Sequence, residues 1–304
     1  MNKSIRFLLL MLLLPVYNMA AQEGEPPLMY EIGSFSITIL PEGSGQGNTE
    51  ILIGATPEML NQCLPEGTYT SAMNAFLVET DEKTILVDAG LGRNLFANLE
   101  VCKKSPEKID IILITHMHGD HIGGLLQNDN RSFPNATLYI PQPEYDYWMN
   151  DEIMQSLPEN RRGSFTQARK VIEAYKSSLQ LFVPGELDGA THEVFPGIRS
   201  IAAYGHTPGH TIYMLESGDS RIMIWGDLTH VTPIQMDYPQ VAVTYDVDPV
   251  KAVESRQRIL QYLADNKIDI AGMHVQYPGV GKVSKNKSGG YIFTLTCDCE
   301  GIVR

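Results

Sequence analysis

The stretch His116-Met117-His118-Gly119-Asp120-His121 follows directly on the apolar run from Ile109 to Ile114. That run predicts a buried strand ending at Thr115, where the chain breaks into a loop carrying three imidazoles and a carboxylate. Three borderline nitrogen donors and one hard oxygen donor suit zinc or a neighbouring first-row metal. His116 and His118 stand two apart in an extended loop and can converge on one ion, while Asp120 and His121 point towards a second centre. The plain alternative is a chance polar loop. Four ligand-type residues within six positions, at the mouth of a strand, argue against it.

Working outward, three further stretches set ligand-type residues just after predicted strands. Ala203-Tyr204-Gly205-His206-Thr207-Pro208-Gly209-His210 follows the strand Ile198 to Ala203, Gly226-Asp227 ends the strand Arg221 to Trp225, and Gly272-Met273-His274 ends the strand Ile268 to Gly272. Loops at strand ends are where a rigid sheet presents reactive groups, and a glycine beside each ligand lets backbone crowd the ion.

Other elements complete the pattern. The alternation Phe35-Ser36-Ile37-Thr38-Ile39 predicts a strand, and Ala75 to Glu79 with Thr84 to Asp88 predicts a hairpin turning at Thr80 to Lys83. Asp88-Ala89-Gly90-Leu91-Gly92 reads as a tight turn, since its glycine spacing is not that of a nucleotide loop. Thr137 to Ile140 predicts a strand, and Pro143 to Leu157 and Ser164 to Leu179 predict helices. Ile212 to Leu215 and Val241 to Tyr245 predict strands, and Asp248-Pro249 is an N-cap and first turn for a helix buried through Val250, Val253, Leu260 and Leu263. Strands in two batches with interleaved helices predict two sheets packed on each other, helices outside.

Composition narrows the function. The chain of 304 residues has 43% hydrophobic content, enough for a substantial core. Lys3 and Arg6, the apolar run Phe7 to Leu14 and Met19-Ala20-Ala21 before Gln22 form the pattern of an export signal at residues 1–21. The run is too short to span a bilayer and Pro15 interrupts it, so no stable membrane insertion is expected after its removal. The formal charge is −13, and loss of Lys3 and Arg6 takes it to −15, because residues 1–21 contain no acid. Such a surface repels phosphate backbones, which disfavours a nucleic-acid partner and leaves a small-molecule substrate. Cys63, Cys102, Cys297 and Cys299 are too few for a disulfide scaffold; a bridge between the two ends or free thiols are both open. Gly-x-Ser-x-Gly, Walker-type and dinucleotide motifs are absent, so a serine nucleophile or nucleotide cofactor has no support.

Taken in order, HMHGDH, GHTPGH, WGD and GMH resemble the metallo-β-lactamase fold superfamily, with Ala203 to Tyr213, Gly226 to His230 and HVQYPGVGKV from His274 resembling its methyl parathion hydrolase and N-acyl homoserine lactonase branch. The resemblance implies an αββα sandwich over residues 22–304, with a helical lid inserted at about 141–180. It implies that His116, His118 and His210 hold a first divalent ion, that Asp120, His121 and His274 hold a second, and that Asp227 bridges, with His206 bracing the loop. Zinc is the first choice, with manganese, cobalt or iron as alternatives. Two such ions can share a water made nucleophilic near neutral pH, and Asp120 can aim it. Small esters, lactones or phosphotriesters are the implied substrates; β-lactam hydrolysis, thioester hydrolysis and a mononuclear iron oxygenase use the same scaffold. Lactonases of the superfamily often carry a tyrosine shortly after the bridging aspartate, where this chain has Leu228-Thr229-His230. His230 and Tyr277 are therefore candidate proton donors or pocket walls, and Trp148 in EYDYWM resembles the leaving-group wall of the methyl parathion hydrolases. The resemblance leaves room for a homodimer.

The export pattern has a direct consequence: N-terminal sequencing of the protein from a native-like host should find a chain beginning near Gln22, and a mature chain that still begins at Met1 refutes it.

Overall fold

A computed structural model describes residues 24–189 and 192–296; the export stretch, Cys297 and Cys299 lie outside them. Two seven-stranded sheets face each other. The first runs Leu28–Ile32, Phe35–Asn48, Thr68–Glu79, Thr84–Val87, Ile111–Leu113, Thr137–Pro141 and Leu179–Phe182, antiparallel at its start and parallel from Thr84–Val87 onward. The second runs His192–Phe195, Ile198–Ala202, Thr211–Ser217, Ser220–Ile224, Asp269–Ala271, Val280–Lys285 and Tyr291–Leu295, with one parallel pair, Ser220–Ile224 against Asp269–Ala271.

The apolar runs build this sandwich because successive strand residues point to opposite faces, and here both faces are covered. In Thr84–Val87, Ile85 and Val87 enter the space between the sheets while Leu86 turns outward under the helices. In Thr211–Ser217, Tyr213 and Leu215 meet Phe76 and Val78 between the sheets, while Ile212 and Met214 face the helix Pro249–Asn266. Helices Leu95–Val101, Gln142–Met149 and Gly163–Tyr175 cover the other outer face through Leu95, Trp148, Phe165 and Tyr175. The two mixed sheets between helix layers are the fold expected.

Several local expectations change. The stretch Pro143 to Leu157 is two helices, because the Asn150 side chain accepts from the Ile153 N–H and starts a second, Asp151–Ser156. The helix Gly163–Tyr175 stops short of Leu179, which begins the edge strand Leu179–Phe182, parallel to Thr137–Pro141. The segment read as an inserted lid is thus the crossover joining two parallel strands of the first sheet. Strand Val241 to Tyr245 shrinks to Ala242–Val243, paired with Leu52–Ile53. On Pro249–Asn266 the buried stripe is Ala252, Arg256, Ile259, Leu260 and Leu263, and Val250 in the first turn is exposed. Asp248 caps that helix as expected, accepting from the Lys251 N–H.

Arg256 is the least expected part of the stripe. Fully buried, it donates to the carbonyl oxygens of Leu228 (2.7 Å), Pro239 (3.0 Å) and Val241 (2.8 Å), and burial pulls its pKa down to about 10. It ties the loop after Asp227 to the helix. Arg256→Met fills most of the volume but takes the donor from the Leu228 and Pro239 carbonyls, the Val241 carbonyl keeping the Gln235 amide (3.0 Å), so denaturant unfolding should lose about 2 kcal/mol or more; a loss below about 1 kcal/mol contradicts the anchoring role.

Candidate metal centre

The strand-end loops meet along one edge of the sandwich. His116 and His118 leave the strand Ile111–Leu113, and the one-turn helix Gly119–Ile122 carries Asp120 and His121. His206 and His210 follow Ile198–Ala202, Asp227 follows Ser220–Ile224, and His274 follows Asp269–Ala271. Gly226 is required at its position, since its φ is 57° and a side chain there would run into His210 Nε2 and Thr115.

Two groups of donors converge. In the first, His116 Nε2, His118 Nδ1 and His206 Nε2 form a triangle with sides of 3.1, 2.9 and 3.2 Å. Asp227 Oδ2 completes it, 3.1 Å from His206 Nε2 and 3.5 Å from His116 Nε2. Four donors about 3.3 Å apart is the edge of a tetrahedron around an ion with bonds of about 2.0–2.1 Å. In the second, Asp120 Oδ2 lies 3.7 Å from His121 Nε2 and 3.6 Å from His274 Nε2. Asp227 joins both groups: Oδ1 stands 3.1 Å from His121 Nε2, and Oδ2 3.2 Å from His274 Nε2. His230 Nε2 is also 3.0 Å from Oδ2, and its ring stacks on His274 at 4.9 Å between centroids.

This donor set fits divalent cations. His121 Nε2 and Asp227 Oδ1 are buried 3.1 Å apart, yet neither has a hydrogen-bond partner among the described residues. The electrostatics agree. Burial works against charge on every ring, but Asp227, Asp120 and Asp88 raise the pKa of His121 well above its ordinary value, and Asp227 and Asp246 lift His206 to about 9. Burial and the His206 charge push His118 down to about 3. Against its own burial, Asp227 is held well below the usual carboxylate range by His121, His274, His116 and His230. The cluster thus keeps Asp227 and Asp120 ionised while protons gather on His121, His206 and His274, so a cation bound at these rings would displace protons as it coordinates them.

Behind the donors stands a second ring of partners, none of them expected from the sequence. Asp88 accepts from Thr115 N (2.8 Å) and Thr115 Oγ1 (2.6 Å) and lies 2.7 Å from His121 Nδ1. Asp246, fixed by the Val243 N–H, lies 2.8 Å from His206 Nδ1. His274 Nδ1 is 2.9 Å from the Ala72 carbonyl, and the Asn74 amide holds the His274 loop by donating to the carbonyls of Gly272 (3.0 Å), Met273 (3.2 Å) and Val275 (2.8 Å). Carboxylates and carbonyls of this kind fix the tautomer and aim of a ligating histidine. Asp88 had a signal in the sequence, a carboxylate at the end of a strand; Asp246 lies 40 residues from His206 and had none.

The geometry exchanges the two histidines of GHTPGH. His206 was expected to brace and His210 to bind; instead His206 points into the donor group. Both ring nitrogens of His210 are spent elsewhere, Nδ1 on the Ala203 carbonyl (2.9 Å) and Nε2 accepting from the Asp227 N–H (3.0 Å). Burial and the His206 charge push its pKa down to about 3. It braces Asp227. His116, His118, Asp120, His121, Asp227 and His274 converge as expected.

A cavity of about 720 Å³ opens over this centre, with Asp120, Asp227, His230 and His274 in its floor and Tyr69, Tyr147, Trp148, Phe165 and Tyr245 in its walls. A smaller cavity of about 340 Å³ lies beyond His230 and His274. Trp148 lines the larger cavity and is also buried, packed on Phe165 with centroids 4.7 Å apart. Tyr277 is half-buried and lines neither cavity, so the structure does not bring it to the site. Cys63 and Cys102 are unbridged among the described residues.

The chain matches the metallo-beta-lactamase superfamily over residues 70–271. It belongs to that superfamily. The crystal structure of hydrolase AbOPH in the beta lactamase superfamily is similar, with a TM-score of 0.82 and 28% identity over 89% of this chain and 97% of that one. So is AidC, a dizinc quorum-quenching lactonase, in complex with a product N-hexanoyl-L-homoserine, with a TM-score of 0.80 and 26% identity over 89% and 97%. A shorter alignment, 48% identical over 56 residues, joins this chain to exodeoxyribonuclease WalJ of Streptococcus pneumoniae serotype 2, covering 18% of this chain and 21% of that protein. The chain spans less than two thirds of the length of the first curated relatives that it matches, 21% to 60%.

The exchanged histidines are separable by experiment. Loaded with zinc and then desalted, His206→Ala should retain less metal than the parent chain, since it removes one of four clustered donors, while His210→Ala keeps its metal and loses thermal stability. Mass spectrometry of the loaded proteins checks this, and loss of metal in His210→Ala alone restores the original assignment.

Proposed function

We propose that the protein is a metal-dependent hydrolase of small neutral esters and lactones, with phosphotriesters as the next class, acting after export. The observation that carries this reading is the convergence of His116, His118, His206, Asp120, His121 and His274 around Asp227 at the floor of an aromatic cavity. Two divalent ions there, zinc being the first choice, would supply Lewis acidity and a water of lowered pKa. His116, His118 and His206 would hold one of them, Asp120, His121 and His274 the other, and Asp227 would touch both.

The chain's own residues do the rest. Asp120 is partly exposed on the cavity floor, where its carboxylate is placed to accept a hydrogen bond from the attacking water and fix its direction. His230 stands three residues after Asp227, in the wall of both cavities, and its buried Nδ1 has no hydrogen-bond partner among the described residues. With Nε2 turned to Asp227 Oδ2 at 3.0 Å, His230 lines the pocket in the stretch where the chain lacks a lactonase tyrosine. Trp148, Tyr147, Phe165 and Tyr245 give broad apolar walls that seat an acyl or aryl group and exclude water from the reacting bond. Likeness at 26% identity to a lactonase crystallised with its ring-opened product supports a lactone substrate. The acidic balance of −13 supports a neutral one and counsels against the nuclease activity of the short relative.

A panel of lactones, aryl esters, phosphotriesters, β-lactams and DNA, run on zinc-loaded protein, tests the reading. Lactone or aryl-ester turnover should lead, vanish with a chelator and return with added zinc. Turnover of β-lactam or DNA without any ester cleavage overturns the substrate class, and activity indifferent to chelation overturns the mechanism.

A further inference from the structure

The helix Gln142–Met149 begins the segment that the sequence set apart from the metal centre, yet it carries Glu144, a fully buried carboxylate directed at that centre's framework. Its Oε1 accepts from the Met117 N–H (2.8 Å) and from the Trp148 indole Nε1–H (2.5 Å). Its Oε2 accepts from Thr207 Oγ1 (2.7 Å) and the Gly209 N–H (3.0 Å). Met117 lies between His116 and His118, and Thr207 directly follows His206. One carboxylate thus joins the two loops that supply the three nitrogens of the first donor group.

Other features make the join specific. Gly209 has no side chain where one would overlap the Glu144 backbone and Cβ, so helix and loop meet without a gap. Among the described residues no lysine or arginine pairs with Glu144; four hydrogen bonds surround the carboxylate and match the four lone-pair sites that its ionised form offers. An amide of the same shape fits less well, because its NH₂ would face a backbone N–H whichever way it turns, that of Met117 or that of Gly209. Through Trp148, which meets the His118 ring edge-on at 5.8 Å, the same carboxylate also seats the aromatic wall of the cavity.

We propose that Glu144 is the positioning residue of the trihistidine site: it holds the His116–His118 and His206 loops in register and locks the Trp148 wall to them. The assignment rests on the metal-dependent reading above. It makes the crossover helix part of the metal centre, so this segment cannot be exchanged without disturbing the first ion.

Titration of the full chain with zinc, and the visible spectrum of the cobalt-loaded protein, read the two sites separately from activity. Glu144→Gln should weaken the first-site ion by about 10–100-fold, the range for loss of a group that orients a ligand, and change the cobalt spectrum while the second ion binds as before. Thr207→Val removes one donor only and should give a smaller loss of the same sign in a well-folded chain. Trp148→Phe, which removes the indole N–H and shrinks the ring, should keep both ions and change kcat/KM unequally across substrates. Unchanged affinity and spectrum in Glu144→Gln, or equal loss of both ions together with a collapse in melting temperature, overturn the positioning role while the hydrolase reading stands. A wild-type chain that takes up no metal overturns both.

Discussion

A single carboxylate, Asp227, is buried against five imidazoles, with His116, His121, His206, His230 and His274 all within 3.5 Å of its oxygens. A buried anion is tolerated only where opposite charge or hydrogen-bond donors surround it. So many rings around one group cannot all be protonated without repelling one another, and cannot all be neutral without leaving the anion exposed to low dielectric. The proposed pair of divalent cations would resolve the conflict. The rest of the site follows from the need to hold that many side chains, from four loops, within a few ångströms.

The sandwich meets this need by rigidity. Both faces of each sheet are buried, so the strands cannot slip register without turning core residues outward. Loops leaving such strands start from fixed points. The remaining freedom is removed by buried polar groups with partners far away in sequence: Asp88 on His121, Asp246 on His206, Asn74 on the His274 loop, Arg256 on the loop after Asp227. Each is costly to bury alone and stable only in its network, which couples the integrity of the core to the aim of the donors.

Above the donors the walls carry aromatic rings, and among the described residues Arg161 is the only lysine or arginine lining the larger cavity. On the proposed reading, such a pocket would discriminate by shape and apolar area and leave the bond-breaking chemistry to the floor.

The sequence by itself determined the layered fold and most of the donor set. Period-two burial on doubly covered strands is written directly in runs such as Thr84 to Val87 and Ile109 to Ile114, and ligands placed at strand ends are local patterns that survive without coordinates. Where helix gave way to strand at Leu179, or broke at Asn150, pairing with a distant strand or a side-chain cap outweighed the local periodicity. Which histidine of GHTPGH binds was not legible, because the two rings lie four residues apart in equivalent chemistry. Asp246, the Ala203 carbonyl and the Asp227 N–H decide it, and these meet only once two sheets have packed. Glu144 was hidden for the same reason: a glutamate in a polar helix reads as solvated, and only tertiary packing brings it under Met117, Thr207 and Gly209, where burial without a cation makes its four donors obligatory.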